Sequence, residues 1–252
     1  MSNIATLEKQ VETDDTVEYP ESDGLPMADN TEQFNWIVKI KEGLEIMFKD
    51  NPNVFVAGDL LWYPVKGNNS IKAAPDAMVV FNCPKGKRGS YKQWKEGGNP
   101  PKVVFEILSP GNTKSEMAKK FVFYEKYGVD EYYLYDPYKN YFAGWTKHGE
   151  KLVEIPYILG WESPALKIRF EFENNELVVY RPNGRKFENP IELDTRAEVN
   201  ELLMLAERRE KLTERREKEK AQKQAEMFAE KLKSLGIDPE EIFTSTLQKA
   251  EK

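Results

Sequence analysis

Apolar and polar positions repeat with different periods along the chain, and these periods predict its secondary structure. Between residues 31 and 49, apolar side chains recur every three or four positions, at Ile37, Ile40, Leu44 and Met47, which predicts an amphipathic helix. Mostly apolar runs bounded by turn residues then predict a series of strands. The predicted strands span residues 54–64, 76–81, 103–108, 131–137, 141–146, 152–156, 166–173 and 176–181.

A second helix is predicted between the strands at 103–108 and 131–137. Thr113 and Glu116 have the spacing of a capping box, and Gly128 suits the left-handed residue that ends a helix. The order is helix, three strands, helix, strand, followed by several short strands. This order predicts an α+β domain, with α/β-like character, in which a central mixed β-sheet is flanked by helices.

The composition shifts at both ends of this domain. Residues 1–28 are acidic and polar without a repeating apolar face, which predicts a disordered tail. Residues 196–252 are expected to form a charged tail, with a long helix over residues 196–235 that GIDPEE ends and a short terminal helix after it, and the domain itself is expected to span residues 29–195. Part of the helix has the spacing of a coiled-coil seam, which leaves self-association or docking of a protein partner open. The seam residues are Ala221, Ala225, Phe228, Leu232 and Leu235.

Composition also excludes several kinds of site. The chain has one cysteine, Cys83, and one histidine, His148, which excludes an internal disulfide and a histidine-rich metal site. A Ser–His or Cys–His nucleophile would have to use His148. Neither a G-x-S-x-G elbow nor a G-x-x-x-x-G-K-[ST] phosphate loop is present. Because the sequence has no signal-like N-terminus and no 18-residue apolar run, we expect a cytoplasmic protein without membrane contacts.

The formal net charge of −6 is unevenly distributed. The first 32 residues hold nine acidic residues and one lysine, so the rest of the chain is close to neutral. The overall charge therefore does not exclude a nucleic-acid partner.

Glu106 is out of place in the apolar run VVFEIL. Burial of an ionised carboxylate costs several kcal/mol unless the group is paired or bound to a metal. Asp76 opens the preceding strand. If the two strands are neighbours in the sheet, the carboxylates of Asp76 and Glu106 converge at one end of it. We therefore predict a Mg²⁺ or Mn²⁺ ion bound by Asp76, Glu106 and a backbone carbonyl, assigned to Ile107, with Asp59 as a candidate extra acid.

A lysine would complete such a site, and helical geometry distinguishes two candidates. Met117, Phe121 and Tyr124 define the apolar stripe of the second helix. At 100° per residue, Lys119 points away from this stripe, whereas Lys120 lies roughly 60–70° from its centre. We predict that Lys120 leans toward the carboxylates and acts with them in catalysis.

The loop KGKRGSYKQWK is rich in basic residues and predicts a nucleic-acid contact. Its bases could contact phosphates, and Tyr91 and Trp94 could stack on nucleobases. The alternative is a solvated loop or a dimer contact. The five basic residues are Lys85, Lys87, Arg88, Lys92 and Lys95.

Each predicted site residue also has a structural interpretation. Asp76 could satisfy a turn after Pro75, and Glu106 could form a salt bridge at a sheet edge or in a dimer interface. Lys120 could extend over apolar surface at the rim of its helix.

Five motifs resemble a known family. They are GDLLWYP, APDAMVVF, RGSYKQW, VVFEILSPGNT and KFVFYEKYGVDEYYLYDP, within residues 27–144. They resemble the PD-(D/E)XK nuclease-like superfamily, and more closely a restriction-endonuclease-like family that is expanded in cyanobacteria. The resemblance implies a restriction-endonuclease-like core of helix, three-stranded meander, helix and strand.

The resemblance also implies roles for individual residues. Asp76 matches the motif aspartate and Glu106 the acidic residue of the third strand. Leu108 stands where the superfamily has its lysine, and in this family the lysine is displaced to the next helix, which falls on Lys120. No helix-one glutamate is assigned, because Glu42 and Glu45 face away from the apolar stripe.

The activity implied is metal-dependent hydrolysis of DNA phosphodiester bonds by a homodimeric endonuclease. The alternative is a catalytically silent, nuclease-like scaffold that binds protein partners through its C-terminal coiled coil. The retained Asp76, Glu106 and Lys120 favour the first, while the displaced lysine and the absence of a helix-one acid leave the second open.

Overall fold

The computed structural model describes residues 17–236 and 238, which fall into two units divided after Pro190. Nearly all of the regular structure of the first unit was predicted from the sequence. Its helices and strands are α1 (Thr31–Met47), β1 (Val54–Ala57), β2 (Trp62–Tyr63), β3 (Ala77–Phe81), β4 (Tyr91–Lys92), β5 (Val103–Ile107), α2 (Lys114–Tyr127), β6 (Glu131–Asp136), β7 (Tyr141–His148), β8 (Lys151–Glu154), β9 (Arg169–Glu173) and β10 (Glu176–Tyr180).

A mixed six-stranded sheet forms the centre of the first unit, in the order β1-β3-β5-β6-β7-β8. β5 and β6 are parallel, and the other neighbouring pairs are antiparallel. β9 and β10 form a separate antiparallel hairpin. The predicted α+β fold with a central mixed sheet is confirmed.

The central strands are buried on both faces, which explains their continuous apolar runs. In β5, Phe105 and Ile107 face a core that includes Ile40 and Leu44 of α1. Val104, on the other face, belongs to a core with residues of α2. Alternation along the strand therefore directs Glu106 to the α2 face.

The ends of α2 are fixed as the sequence predicted. The Thr113 side chain accepts a hydrogen bond from the Glu116 N–H at 3.2 Å, and Gly128 adopts a left-handed φ of 97°. Tyr124 is fully buried against the sheet. These constraints set the rotation of α2, and hence the direction of its neighbouring side chains.

The predicted strand at 54–64 is wrong in one respect, because it is interrupted. Asp59 has a positive φ of 46°, a conformation that aspartate tolerates better than most residues, and its N–H donates to the Pro75 carbonyl. The chain turns here, so β1 joins the large sheet while β2 pairs in parallel with β4. β4 was not predicted, because a strand of two residues gives no periodic signal, and its residues fall in the predicted basic loop.

The acidic tail predicted at 1–28 is ordered over residues 17–28, whereas residues 1–16 lie outside the described residues. Tyr19 is only 8% exposed and packs on Tyr63 and Trp94. Its hydroxyl accepts a hydrogen bond from the Gly67 N–H at 2.6 Å. One aromatic anchor thus orders a segment whose composition predicts disorder.

Over its described residues, the second unit consists of one helix, α3 (Pro190–Ser234), and the short terminal helix predicted beyond it lies outside the described residues. Ion pairs between residues four apart support its charged middle, including Lys211 with Glu207 and Lys218 with Glu214. None of the described helices is long and apolar enough to cross a membrane. The pairing of its predicted coiled-coil seam with another helix stays a prediction.

Candidate active site

The pairing of β3 with β5 brings the two predicted carboxylates together. Ala77 lies opposite Phe105 and Met78 opposite Val104. Continuation of this antiparallel register by one residue places Asp76 opposite Glu106, on the same face of the sheet.

Glu106 is held by two side chains of α2. Its Oε2 lies 2.7 Å from Lys120 Nζ, and its Oε1 accepts a hydrogen bond from the Tyr124 hydroxyl. Glu106 is only 2% exposed, so these two partners replace the water that its carboxylate loses on burial.

Asp76 is buried at the neighbouring position. Its Oδ2 accepts a hydrogen bond from the Ile107 N–H at 2.6 Å. Burial, followed by the repulsion of Glu106, raises the pKa of the Asp76 carboxyl well above its ordinary value. Two buried carboxylates beside one lysine are therefore poorly neutralised by the protein alone.

Lys120 links the carboxylates to the surface. Its Nζ also donates to the Ala74 carbonyl at 3.3 Å, and its side chain is 24% exposed. Burial disfavours the ammonium, but the attraction of Glu106 and Asp76 outweighs this and raises the pKa of Lys120. The lysine thus stays charged, and the helical angle correctly predicted its direction.

A cavity of about 200 Å³ lies beside the cluster of Asp76, Glu106 and Lys120, and Glu106 is not one of the residues that line it. Asp76 and Lys120 line it, together with Asp59. Burial, followed by the nearby Asp23 carboxylate, raises the pKa of Asp59. The candidate extra acid therefore lies beside the same cavity as the predicted catalytic residues.

Two residues of this site were missed by the sequence analysis. Tyr124 follows Lys120 by four residues, about one helical turn. This spacing puts the two side chains on the same face of α2, and it is the signal that could have identified Tyr124. Gln33 of α1 donates from Nε2 to the Ile107 carbonyl at 2.8 Å and lines the cavity. Its spacing of four residues from Ile37 places it on the apolar face of α1, which is the signal that could have identified it.

The oxygen donors at the site suit a hard divalent cation in their chemistry. Asp76 and Glu106 provide carboxylates, and the Ile107 carbonyl retains a second lone pair beyond its bond to Gln33. Across residues 17–236 and 238, no three His, Cys, Asp or Glu side chains are grouped so that they could hold a metal ion. Water would have to complete the coordination of a bound ion.

The predicted nucleic-acid contacts of the basic loop divide into two groups. Lys87 and Lys95 are exposed. Lys85 pairs with Glu45 at 2.7 Å, and Lys92 lies over the Tyr19 ring at 5.3 Å. Lys87 and Lys95 are therefore the members of the loop that are best placed to meet a phosphate.

Arg88 has a structural environment that the sequence analysis did not foresee. Its guanidinium bonds to Glu96, at 2.7 and 3.0 Å, and lies 4.2 Å from the centre of the Phe55 ring. The predicted stacking role of Tyr91 is wrong, because the ring is fully buried and its hydroxyl donates to the Asn99 carbonyl. Glu96, which neutralises Arg88, directly follows the last residue of the basic loop KGKRGSYKQWK.

Comparisons with known proteins give one family match. A sequence model of the family described as "Uma2: Putative restriction endonuclease" matches residues 11–173, which include the whole cluster. A crystal structure from Anabaena variabilis ATCC 29413, described as "a putative nuclease belonging to DUF820", aligns with 15% identity and a TM-score of 0.42, over 55% of this chain and 75% of that one. No protein with a curated description matches the chain.

Proposed function

The chain belongs to the Uma2 family described as "Putative restriction endonuclease", and we propose that it is a divalent-metal-dependent nuclease that hydrolyses DNA phosphodiester bonds. The observation that carries the proposal is the convergence of Asp76, Glu106 and Lys120 beside one cavity. Buried charges lower stability unless they are well compensated, so clusters of this kind are more frequent at functional sites than elsewhere.

In this proposal, Asp76, Glu106 and the Ile107 carbonyl would hold the cation. A bound Mg²⁺ or Mn²⁺ would polarise the scissile phosphate and stabilise its developing charge. Gln33 and the Ile107 N–H position the ligands, since one donates to the Ile107 carbonyl and the other to Asp76 Oδ2. A bound cation would explain why the Asp76 carboxylate lies where burial and the charge of Glu106 oppose its ionisation.

Lys120 supplies the positive charge of the site. Its ammonium, beside Glu106 Oε2, would orient the attacking water or neutralise the charge that develops on the phosphate. Tyr124 fixes the other oxygen of Glu106, which keeps the carboxylate in one orientation. Hydrolysis adds one water across a P–O bond and yields a phosphate monoester and a hydroxyl group.

We propose that the exposed Lys87 and Lys95 contact the DNA backbone outside the cavity. Cleavage of both strands of a duplex needs two sites, so the active form would be a homodimer. The predicted seam of α3 is a candidate for the contact between subunits, or for a protein partner.

A catalytically silent scaffold is the second candidate function, and one observation favours it. Both oxygens of Glu106 accept hydrogen bonds from the protein, and the Ile107 carbonyl is bonded to Gln33. A site whose donors are satisfied internally can be stable without a cation. In that case α3 would carry the function through a protein partner.

The test is incubation of the purified protein with plasmid and single-stranded DNA, with Mn²⁺ or with EDTA, beside Asp76→Ala. Cleavage that requires both Mn²⁺ and Asp76 supports the nuclease. Equal cleavage by wild type and Asp76→Ala assigns the activity to another site or to a contaminant. The absence of cleavage under every condition favours the scaffold.

A further inference from the structure

A short acidic segment, which we call the acidic strap (residues 18–29), lies against the candidate site. It contains Glu18, Glu21, Asp23 and Asp29 and has no lysine or arginine. Its carboxylates are repelled by Asp59 and Asp76 and attracted by Lys120, all of which line the same cavity. Charge alone therefore does not fix its position, and its other contacts do.

The first anchor of the acidic strap is at its N-terminal end. The Tyr19 ring lies 5.2 Å from the Tyr63 ring and 4.9 Å from the Trp94 ring. The Tyr63 hydroxyl donates to the Pro20 carbonyl at 2.8 Å, and Asn69 Nδ2 donates to the Glu18 carbonyl at the same distance.

The second anchor is at the other end. The Asp29 carboxylate accepts a hydrogen bond from the Ser109 hydroxyl, beyond the end of β5. The Asp29 N–H donates to Gln33 Oε1 at 2.8 Å. The acidic strap is thus tied to both sides of the site.

Between its anchors, the acidic strap supplies part of the cavity wall. Asp23 and every residue from Leu25 to Asp29 line the cavity that also contains Asp76 and Lys120.

The middle of the acidic strap is exposed over residues 21–27, and Leu25 is 73% exposed. Two of its hydrogen bonds, from Gly24 N–H to Ser22 Oγ and from Leu25 N–H to Asp23 Oδ1, stay within the acidic strap.

The contacts of the acidic strap resemble those of a nucleic-acid strand. The Tyr19 ring lies against the Trp94 ring at an interplanar angle of 53°, in a position where a nucleobase could pack. Carboxylates follow along the cavity, where phosphates would pass. Asp23 also contributes to the raised pKa of Asp59, after burial, so the middle of the acidic strap is held against repulsion.

We propose that the acidic strap occupies the path of a nucleic-acid strand, and that a single-stranded polynucleotide displaces it to reach Asp76 and Lys120. The inference rests on the proposed nuclease function and adds its regulation. Displacement exposes Trp94 and Lys92, both of which now contact Tyr19, and opens one wall of the cavity. The protein is therefore self-inhibited until a strand competes successfully.

The test measures binding of a labelled single-stranded oligonucleotide by fluorescence anisotropy in EDTA, so that no cleavage occurs. The full-length protein is compared with Tyr19→Ala, which removes the first anchor, and with Tyr157→Ala, a control at a tyrosine that is 88% exposed. If the acidic strap leaves the site open roughly one-tenth of the time, Tyr19→Ala should bind about tenfold more tightly. Tyr157→Ala should bind as the wild type does.

A second variant protects the test against misfolding of Tyr19→Ala. Replacement of the exposed residues 21–27 by a glycine–serine segment of the same length keeps both anchors and removes Glu21 and Asp23. It should also tighten binding, by less than Tyr19→Ala. Hydrogen exchange of residues 20–28 should rise when the oligonucleotide is added to wild type.

The outcomes separate this inference from the proposed function. If all variants bind the oligonucleotide with equal affinity, the acidic strap does not compete with it. The same conclusion follows if hydrogen exchange of residues 20–28 is unchanged or slower when the oligonucleotide is added. Either result overturns this inference even if Mn²⁺-dependent cleavage is found. Tighter binding in both variants without cleavage under any condition supports the competitor and refutes the nuclease. The absence of oligonucleotide binding by any variant overturns this inference.

Discussion

Lys120 Nζ lies 2.7 Å from Glu106 Oε2, which joins a helix that packs over the sheet to a carboxylate inside a central strand. The Glu106 side chain is 3% exposed and that of Lys120 is 24% exposed. The pair therefore has a buried end and an end that faces the cavity. This arrangement accounts for a charged residue in the apolar run VVFEIL.

Loss of Lys120 is expected to abolish cleavage and to lower the stability of the fold. Lys120→Met leaves Glu106 buried without its cationic partner, which should lower the free energy of unfolding by about 3 kcal/mol. Lys119→Met, at the neighbouring exposed position, should stay within about 0.5 kcal/mol of wild type. Chemical denaturation followed by circular dichroism measures both changes.

A double variant separates folding from chemistry at the same position. Glu106→Gln combined with Lys120→Met removes both charges, so most of the stability lost in Lys120→Met should return while cleavage stays absent. An unstable double variant would contradict the interpretation of Lys120 and Glu106 as a coupled pair.

Tyr124 is expected to stabilise the fold through its bond to Glu106. Tyr124→Phe removes the hydroxyl that donates to the buried carboxylate, at a cost of about 1.5–3 kcal/mol. Tyr132 is a matched control, because its buried hydroxyl has no hydrogen-bond partner within the described part of the chain. Tyr132→Phe should be neutral or stabilising, and a loss equal to that of Tyr124→Phe would contradict this assignment.

The contribution of Asp76 to the stability of the metal-free protein is expected to fall as the pH rises. Burial and the charge of Glu106 raise the pKa of Asp76 above its ordinary 3.8, so the folded protein retains a proton that the unfolded chain releases. The contribution of Asp76 is complete below the unfolded-state pKa and is lost as the pH rises through the folded-state pKa. Denaturation in EDTA across this range should show the decline, which should be absent in Asp76→Asn.

The same substitution should stabilise the protein at neutral pH. Asp76→Asn removes a buried charge that Glu106 repels, and its amide oxygen can still accept from the Ile107 N–H. We expect a gain of about 1–2 kcal/mol at pH 7 without divalent cations, as is common when a functional group is removed. A clear loss of stability would show that the carboxylate has a structural role.

The basic loop should separate into binding and structural residues. Lys87→Ala combined with Lys95→Ala should weaken DNA binding and lower the slope of log affinity against log salt by roughly 0.9 for each phosphate that the variant no longer neutralises. Arg88→Ala should instead destabilise the fold, because it removes the bonds to Glu96 and the packing on Phe55. Affinity measured at several salt concentrations, beside thermal melting, distinguishes the two effects.

The sequence predicted the fold well because its local signals agree with the tertiary structure. The capping box at Thr113, the C-terminal Gly128 and the apolar stripe of α2 are all consistent with one helix packed on the sheet. The helical angle selected Lys120 over Lys119 for the same reason. Each of these signals depends on residues that are close in the sequence.

The features that were missed depend on contacts between distant residues. The acidic strap is ordered by the packing of Tyr19 on Tyr63 and Trp94, which its acidic composition does not reveal. Gln33 meets Ile107 across 74 positions of the chain. The turn at Asp59 follows from its bond to the Pro75 carbonyl, and such pairings have no periodic signature.

The most direct test of the central claim is Mn²⁺-dependent cleavage of DNA by Asp76→Asn, measured on protein whose stability is known. Asp130→Asn is the control, since Asp130 pairs with Lys102 at 2.9 Å on the surface. We predict that wild type and Asp130→Asn cleave and that Asp76→Asn does not, although it is at least as stable as wild type. Cleavage by Asp76→Asn at the wild-type rate would contradict the account.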